Sequence, residues 1–213
     1  MKKTYYVCKY TPIELLQAFG AECVNLNGMP QGFEQADQIA HPNICGFGKA
    51  LIEAVMNGEV KELVLVNCCD TIRSVCDVLE ESEKLDFLYM LDMLHSEGEC
   101  SRERIVMQLK GLAEAYGAYR GTSFDEQAFR DAFQAPEPIR GPHISVLGAR
   151  MGKELFEMVQ QVMPYPVENA TCVHNRSVGE MNPPKDADYE ELLSWYAGEL
   201  LGQVPCMRML DHT

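Results

Sequence analysis

The chain has 213 residues, 46% of them hydrophobic, and a formal net charge of −14. That apolar content suffices for a packed core. The acidity argues against general binding to nucleic acid or to anionic membranes, which need basic patches to replace counterions. No apolar run approaches the roughly 20 residues of a membrane span, and the Met-Lys-Lys start is not followed by a signal-peptide h-region, so a cytoplasmic globular protein is the default expectation.

In chain order, Tyr5 to Tyr10 reads as a strand, and Thr11-Pro12-Ile13-Glu14 reads as a helix start. Thr11 can cap, Pro12 suits the first helical position and Glu14 would complete a capping box, giving a helix from Pro12 to Phe19 ended by Gly20. Residues 25–42, with two prolines and two glycines, read as a loop leading to Cys45. After Gly46 and Gly48 comes a helix from Lys49 to Met56, closed by Asn57-Gly58. Lys61 to Cys68 carries the continuous apolar run Leu63 to Val66 of a buried parallel strand, and Asp70 to Leu79 has helical spacing at Ile72, Val75, Cys76 and Leu79.

Asp86 to Leu91 is a further strand, and Ser101 to Tyr116 and Asp125 to Phe133 are helices. Three prolines and a glycine between Ala135 and Pro142 exclude a continuous helix and mark a boundary. Beyond it lie a strand from His143 to Leu147, a helix from Gly152 to Val162, a strand from Tyr165 to Thr171 and a helix from Asp188 to Leu201. Alternating strands and helices predict an α/β fold of two Rossmann-like parallel-sheet domains, the second incomplete. The expected division is an N-terminal domain over 1–135, a proline-rich linker over 136–142 and a partial second domain over 143–213.

Nine cysteines without a secretory signal favour reduced thiols or metal ligation over a disulfide framework. Cys45, Cys69 and Cys172 each sit where an apolar strand or a loop hands over to a helix or turn, where free backbone N–H groups can donate to thiolate or sulfide. Together they read as a cradle for one iron–sulfur cluster. The competing reading is that isolated cysteines are small buried hydrophobes. That reading holds for Cys68 and for Cys76, which shares an apolar helix face with Ile72 and Leu79, and with less support for Cys8, Cys23, Cys100 and Cys206. His41 and His174 flank the proposed ligands but lack a helical partner histidine. Neither a GxSxG elbow nor a GxxxxGK[ST] loop is present.

Laid out in this order, the chain resembles the cluster-bearing subunits of the 2-hydroxyacyl-CoA dehydratase and benzoyl-CoA reductase family. The landmarks are Tyr10-Thr11-Pro12-Ile13-Glu14-Leu15, the loop Cys45, Cys69-Asp70-Thr71-Ile72-Arg73, Asp86 to Leu91, Ile144 to Gly148, Cys172 to Arg176 and Val204-Pro205-Cys206. The resemblance implies a [4Fe-4S] cluster on Cys45, Cys69 and Cys172, with a fourth coordination position open or externally filled. It implies an acyl-CoA substrate, a related subunit or a second copy as dimer partner, and an ATP-dependent activator as one-electron donor. A substrate ketyl radical would then permit dehydration or ring reduction. Asp70, Thr71 and Arg176 become candidates to surround the cluster, Arg176 by screening charge or gripping a coenzyme A phosphate. Each also has a plainer reading: Asp70 and Thr71 as ordinary first-turn residues, Arg176 as a surface arginine.

Two departures qualify the resemblance. Gly46-Phe47-Gly48 follows Cys45 where catalytic relatives often carry a serine, and the chain stops at Thr213 where they continue. These motivate an alternative, a non-catalytic electron-transfer or accessory member of the family. They also lead to the expectation that Tyr165, Val167, Leu192, Leu193 and Trp195 need cover from a partner.

Overall fold

The computed structural model describes residues 2–26, 32–94, 98–133, 139–148, 150–172, 178 and 182–203. Its centre is the run that the sequence marks most clearly. Strand β3 (Glu62–Val66) is buried along its whole length. It pairs in parallel with β1 (Lys3–Tyr6) and with β4 (Phe87–Leu91), and β1 pairs in parallel with β2 (Glu22–Asn25). The sheet order is therefore β2-β1-β3-β4.

Successive strand residues point to opposite faces, so β3 serves two cores. Val64 and Val66 join one core with Leu15 and Leu16 of α1 (Ile13–Gln17), Leu109 and Tyr116 of α5 (Glu99–Arg120), and Phe129 of α6 (Glu126–Asp131). Leu63 and Leu65 join the other, with Ala36 of α2 (Ala36–Ile39), Leu51 and Ile52 of α3 (Gly46–Met56), and Val75 and Leu79 of α4 (Asp70–Ser82). The result is a parallel sheet with helices on both faces, as the α/β pattern predicts.

A second parallel pair, β5 (Ile144–Val146) and β6 (Val167–Asn169), carries α7 (Lys153–Val162). No residue of α7 is buried, and Leu155, Met158 and Val162 face outward. The last helix, α8 (Tyr189–Leu201), packs against α5. Leu192 and Leu193 are fully buried in the first core, with Trp195 against it, so these residues find cover within the chain; Val167 is buried too, and Tyr165 is exposed. Of the linker, residues 139–142 are described and form no regular element, while 134–138 lie outside the described residues.

The first helix departs from its predicted start. Its N-cap is Pro12, no side chain caps it, and Glu14 points inward, accepting a 2.6 Å hydrogen bond from the Tyr196 hydroxyl. Burying Glu14 under α8 replaces the capping box. A capping box does form at α8, where Asp188 and Glu191 exchange hydrogen bonds of 3.0 Å. At the amino-terminal end of the main sheet, Glu62, only 1% exposed, accepts from Thr4 Oγ1 at 2.8 Å and Tyr119 Oη at 3.0 Å, and Arg120 Nη2 lies 3.0 Å from it. That knot is at the opposite end of the strands from the cysteines.

Candidate functional site

In an open parallel sheet, ligands bind beyond the carboxyl ends of the strands, where the strand order reverses. The order β2-β1-β3-β4 puts that reversal between β1 and β3. Two residues past β1 is Cys8, buried at 1% exposure, and two and three residues past β3 are Cys68 and Cys69, both half-buried. Thiols therefore line the crevice.

Local structure fixes each of them. Asn67, at the end of β3, donates through its side chain to Asp92 and accepts from the Met93 backbone at 2.8 Å, which ties β3 to β4 where the Cys68-Cys69 bend begins. Cys69 is the N-cap of α4, with extended backbone and no side-chain cap. Cys45 holds the same position at α3 and is exposed. Each cysteine therefore sits at the positive end of a helix dipole, a setting that favours anionic sulfur.

The two helix starts are pressed together. A Cβ on Gly48 would lie 2.6 Å from Ile44 Cγ2 and 2.7 Å from Thr71 Cγ2. Only the missing side chain of Gly48 lets the first turn of α3 approach that of α4 so closely. Thr71 thus has a visible packing role, while Asp70 is exposed at the start of α4.

The second sheet delivers Cys172. Asn169 Oδ1 accepts from Thr171 N at 3.1 Å and Thr171 Oγ1 at 2.6 Å, closing the turn after β6. The Cys172 carbonyl then accepts from Lys9 N at 3.1 Å, docking that turn on the exit of β1. Lys9 itself is fully buried, its ammonium 6.0 Å from the centre of the Tyr10 ring.

Cys68 sits among the other thiols. A hydrogen bond with Cys69 lowers its pKa, but a hydrogen bond with Cys8, burial, and the charges of Cys8 and Cys172 raise it more, and the net shift is upward. Cys68 packs against both cores, as a core reading requires, and also meets Cys69 and Cys8 through its thiol. Cys76 is different. It is 4% exposed within the α3–α4 core, burial and Glu80 push its thiol up to about 12, and it packs as its helical spacing predicts.

Arg150, which no motif or periodicity singles out, also reaches this place. Its Nη2 donates to the Leu26 carbonyl at 2.5 Å, and its guanidinium stacks 3.9 Å from the centre of the Phe47 ring, two residues from Cys45. Burial lowers the pKa of Arg150, and the charge of Cys172 works against that shift. Arg176 and His174 lie outside the described residues, as does Cys206, and His41 is exposed in the turn before Cys45.

Among the described residues, no three His, Cys, Asp or Glu side chains converge on a point where one metal ion could sit. The donor set is soft sulfur spread around a crevice, which suits an iron–sulfur cluster, whose ligands bind different irons, better than a single hard cation. One cleft of about 710 Å³ lies elsewhere, between α5 and α8, and is lined by Glu99, Glu103, Glu190 and Arg102. It holds none of the thiols. No described helix is long and apolar enough to cross a membrane.

The family model of the 2-hydroxyglutaryl-CoA dehydratase D-component matches residues 8–174. The match spans Cys8, Cys45, Cys68, Cys69, Arg150 and Cys172 and stops short of α8. A comparison with curated proteins gave no match.

Proposed function

The chain belongs to the 2-hydroxyglutaryl-CoA dehydratase D-component family, and we propose on that premise that it is a [4Fe-4S] subunit of a 2-hydroxyacyl-CoA dehydratase-like enzyme, with Cys45, Cys69 and Cys172 as ligands. The observation that supports this reading is that Cys45 and Cys69 cap two helix starts in contact with each other, while the Cys172 turn docks on the exit of β1. When bound there, the cluster would supply one-electron chemistry and a Lewis-acidic iron for a thioester carbonyl.

The chain's own residues would do the rest. The first-turn N–H groups of α3 and α4 would stabilise anionic sulfur, Gly48 would hold the two helix starts at contact distance, and the Asn169–Thr171 turn would hold Cys172 against β1. The proposed setting is the cytoplasm. The proposed partners are a related subunit or a second copy, an ATP-dependent activator and an acyl-CoA. The unburied apolar stripe of α7 is consistent with such an assembly.

A second reading is favoured by one observation. Cys8 and Cys68 share the crevice with Cys69, so a fourth thiol is at hand that could lose its proton to iron and occupy the position a substrate would need. A cluster closed in that way would pass electrons without dehydrating anything.

Anaerobic reconstitution tests the main proposal: it should give about four irons and four sulfides per chain with charge-transfer absorption. Alanine at Cys45, Cys69 or Cys172 should abolish loading, and Cys76→Ala should retain it. A wild-type chain that stays colourless with its thiols reduced sinks the cluster. Turnover of 2-hydroxyacyl-CoA thioesters with activator, ATP and reductant separates the enzyme from the accessory protein.

A further inference from the structure

We propose that Arg150 is a positioning residue of the thiol site, tying the exit of β5 to the end of β2 and the start of α3 and placing a fixed positive charge that raises the reduction potential of a cluster held there. The inference rests on the cluster reading above and adds a residue that the reading does not assign.

Arg150 and Cys172 leave the same end of the β5–β6 pair. Val146 and Asn169 are register partners in that parallel ladder, and the chain reaches Arg150 four residues beyond one and Cys172 three residues beyond the other. From there the arginine crosses to the main sheet. It donates to the Leu26 carbonyl at 2.5 Å, just past β2, and stacks at 3.9 Å on Phe47, the second residue of the helix capped by Cys45.

A free arginine side chain carries about 2 kcal/mol of rotamer entropy, so a guanidinium tied at both its edge and its face is held for a purpose that a surface arginine does not serve. It stays charged, since arginine does not lose its proton in proteins. Cys172 lies close enough for its charge to act on the guanidinium. A cluster on thiolates is anionic and gains a further negative charge on reduction, so a nearby cation in a partly buried site favours the reduced form.

The experiment is a spectroelectrochemical titration of the reconstituted full chain in four forms: wild type, Arg150→Met, Arg150→Lys and Phe47→Leu. Arg150→Met should shift the reduction equilibrium by roughly tenfold toward the oxidised form, a potential about 59 mV more negative for one electron. Arg150→Lys keeps the charge and should lie nearer the wild type. Phe47→Leu keeps the guanidinium but removes its stacking partner, and should shift the potential less, in the same direction.

An Arg150→Met protein with wild-type iron content and wild-type potential overturns the proposal. So does loss of the cluster in both folded Arg150 variants, which marks a purely structural role. Should Arg150→Met fail to fold, Phe47→Leu decides, and an unchanged potential there overturns the proposal. A wild-type chain that takes up no iron overturns the cluster reading itself, whereas a loaded wild type with unmoved variants overturns only the role of Arg150.

Discussion

Gly48→Ala tests whether the contact between the two cysteine-bearing helix starts is as tight as it looks. A Cβ there would lie 2.6 Å from Ile44 Cγ2, 2.7 Å from Thr71 Cγ2 and 3.2 Å from Val75 Cγ2. Comfortable carbon contacts are about 3.5–4.0 Å. All three neighbours are β-branched, with one strongly preferred rotamer or two, so none can swing aside cheaply. Overpacking against three stiff neighbours costs about 2–3 kcal/mol, the upper part of the usual range, and the better helix propensity of alanine returns about 1 kcal/mol, leaving a net loss of about 1–2 kcal/mol. Urea unfolding measures that loss directly. Thr71→Ser removes one of the clashing methyl groups and keeps the hydroxyl, so in the Gly48→Ala background it should recover part of the loss, with a coupling of about 0.5–1 kcal/mol. The alanine variant should also load less iron per folded chain, because the strain is relieved by moving Cys45 away from Cys69. Wild-type stability for Gly48→Ala, or strict additivity with Thr71→Ser, would falsify the argument that this glycine sets the spacing.

Glu62→Gln should destabilise the fold by about 3 kcal/mol, the lower end for breaking a buried pair, because Arg120 keeps hydrogen bonds to Tyr116 Oη at 2.8 Å and Lys2 O at 3.1 Å. Iron loading per folded chain should not change, since the knot is at the far end of the strands; a selective loss of loading would contradict that separation. Burial and the hydrogen bond to Glu62 push the Tyr119 phenol from 10.0 up to about 12, so the folded state holds this proton more tightly than the unfolded chain does. Its contribution is complete below pH 10 and is lost as pH rises toward 12, a decline in chemical-denaturation midpoint that Tyr119→Phe should flatten. Tyr196→Phe removes the 2.6 Å donor to buried Glu14 and should cost about 1–3 kcal/mol by thermal or urea unfolding. An unchanged midpoint would mean that Glu14 does not depend on α8.

Legibility followed burial. Leu63 to Val66 announce β3 because a strand covered on both faces needs an unbroken apolar run, and Ile72, Val75, Cys76 and Leu79 announce α4 because one helix face is covered. Strand β2 was not legible. Glu22-Cys23-Val24-Asn25 borders the sheet beside β1, is nowhere fully buried, and has too few apolar residues to mark a strand. Without it the strand order was hidden, and with it the place where that order reverses. The helix contexts of Cys45 and Cys69 were readable from glycine and strand-to-helix signals. Cys68 packs against both cores as read, but its contact with Cys69 was not legible, because the alternation rule holds within a strand and the two lie in the bend after one. Arg150 gave no signal at all, since its partners, Leu26 and Phe47, are more than a hundred residues away in sequence.

The position of the sulfur is what the proposed cluster would depend on. Doubly wound sheets that bind nucleotides meet phosphate at the reversal point with a glycine-rich turn and a helix start. Here the residues at those helix starts are cysteines, so the positive ends of two helix dipoles lie next to thiols. The second sheet closes the arrangement from above, through one backbone hydrogen bond from Lys9 to Cys172 and one arginine anchored at Leu26 and Phe47. The first link meets the main sheet at the exit of β1, and the second meets it past β2 and at the start of α3. A shift of the second sheet would therefore move Cys172 and the charge of Arg150 together relative to Cys45 and Cys69. On this reasoning, ligand binding and the relative placement of the two sheets are one equilibrium, and whatever fills the crevice should stiffen the contact between them.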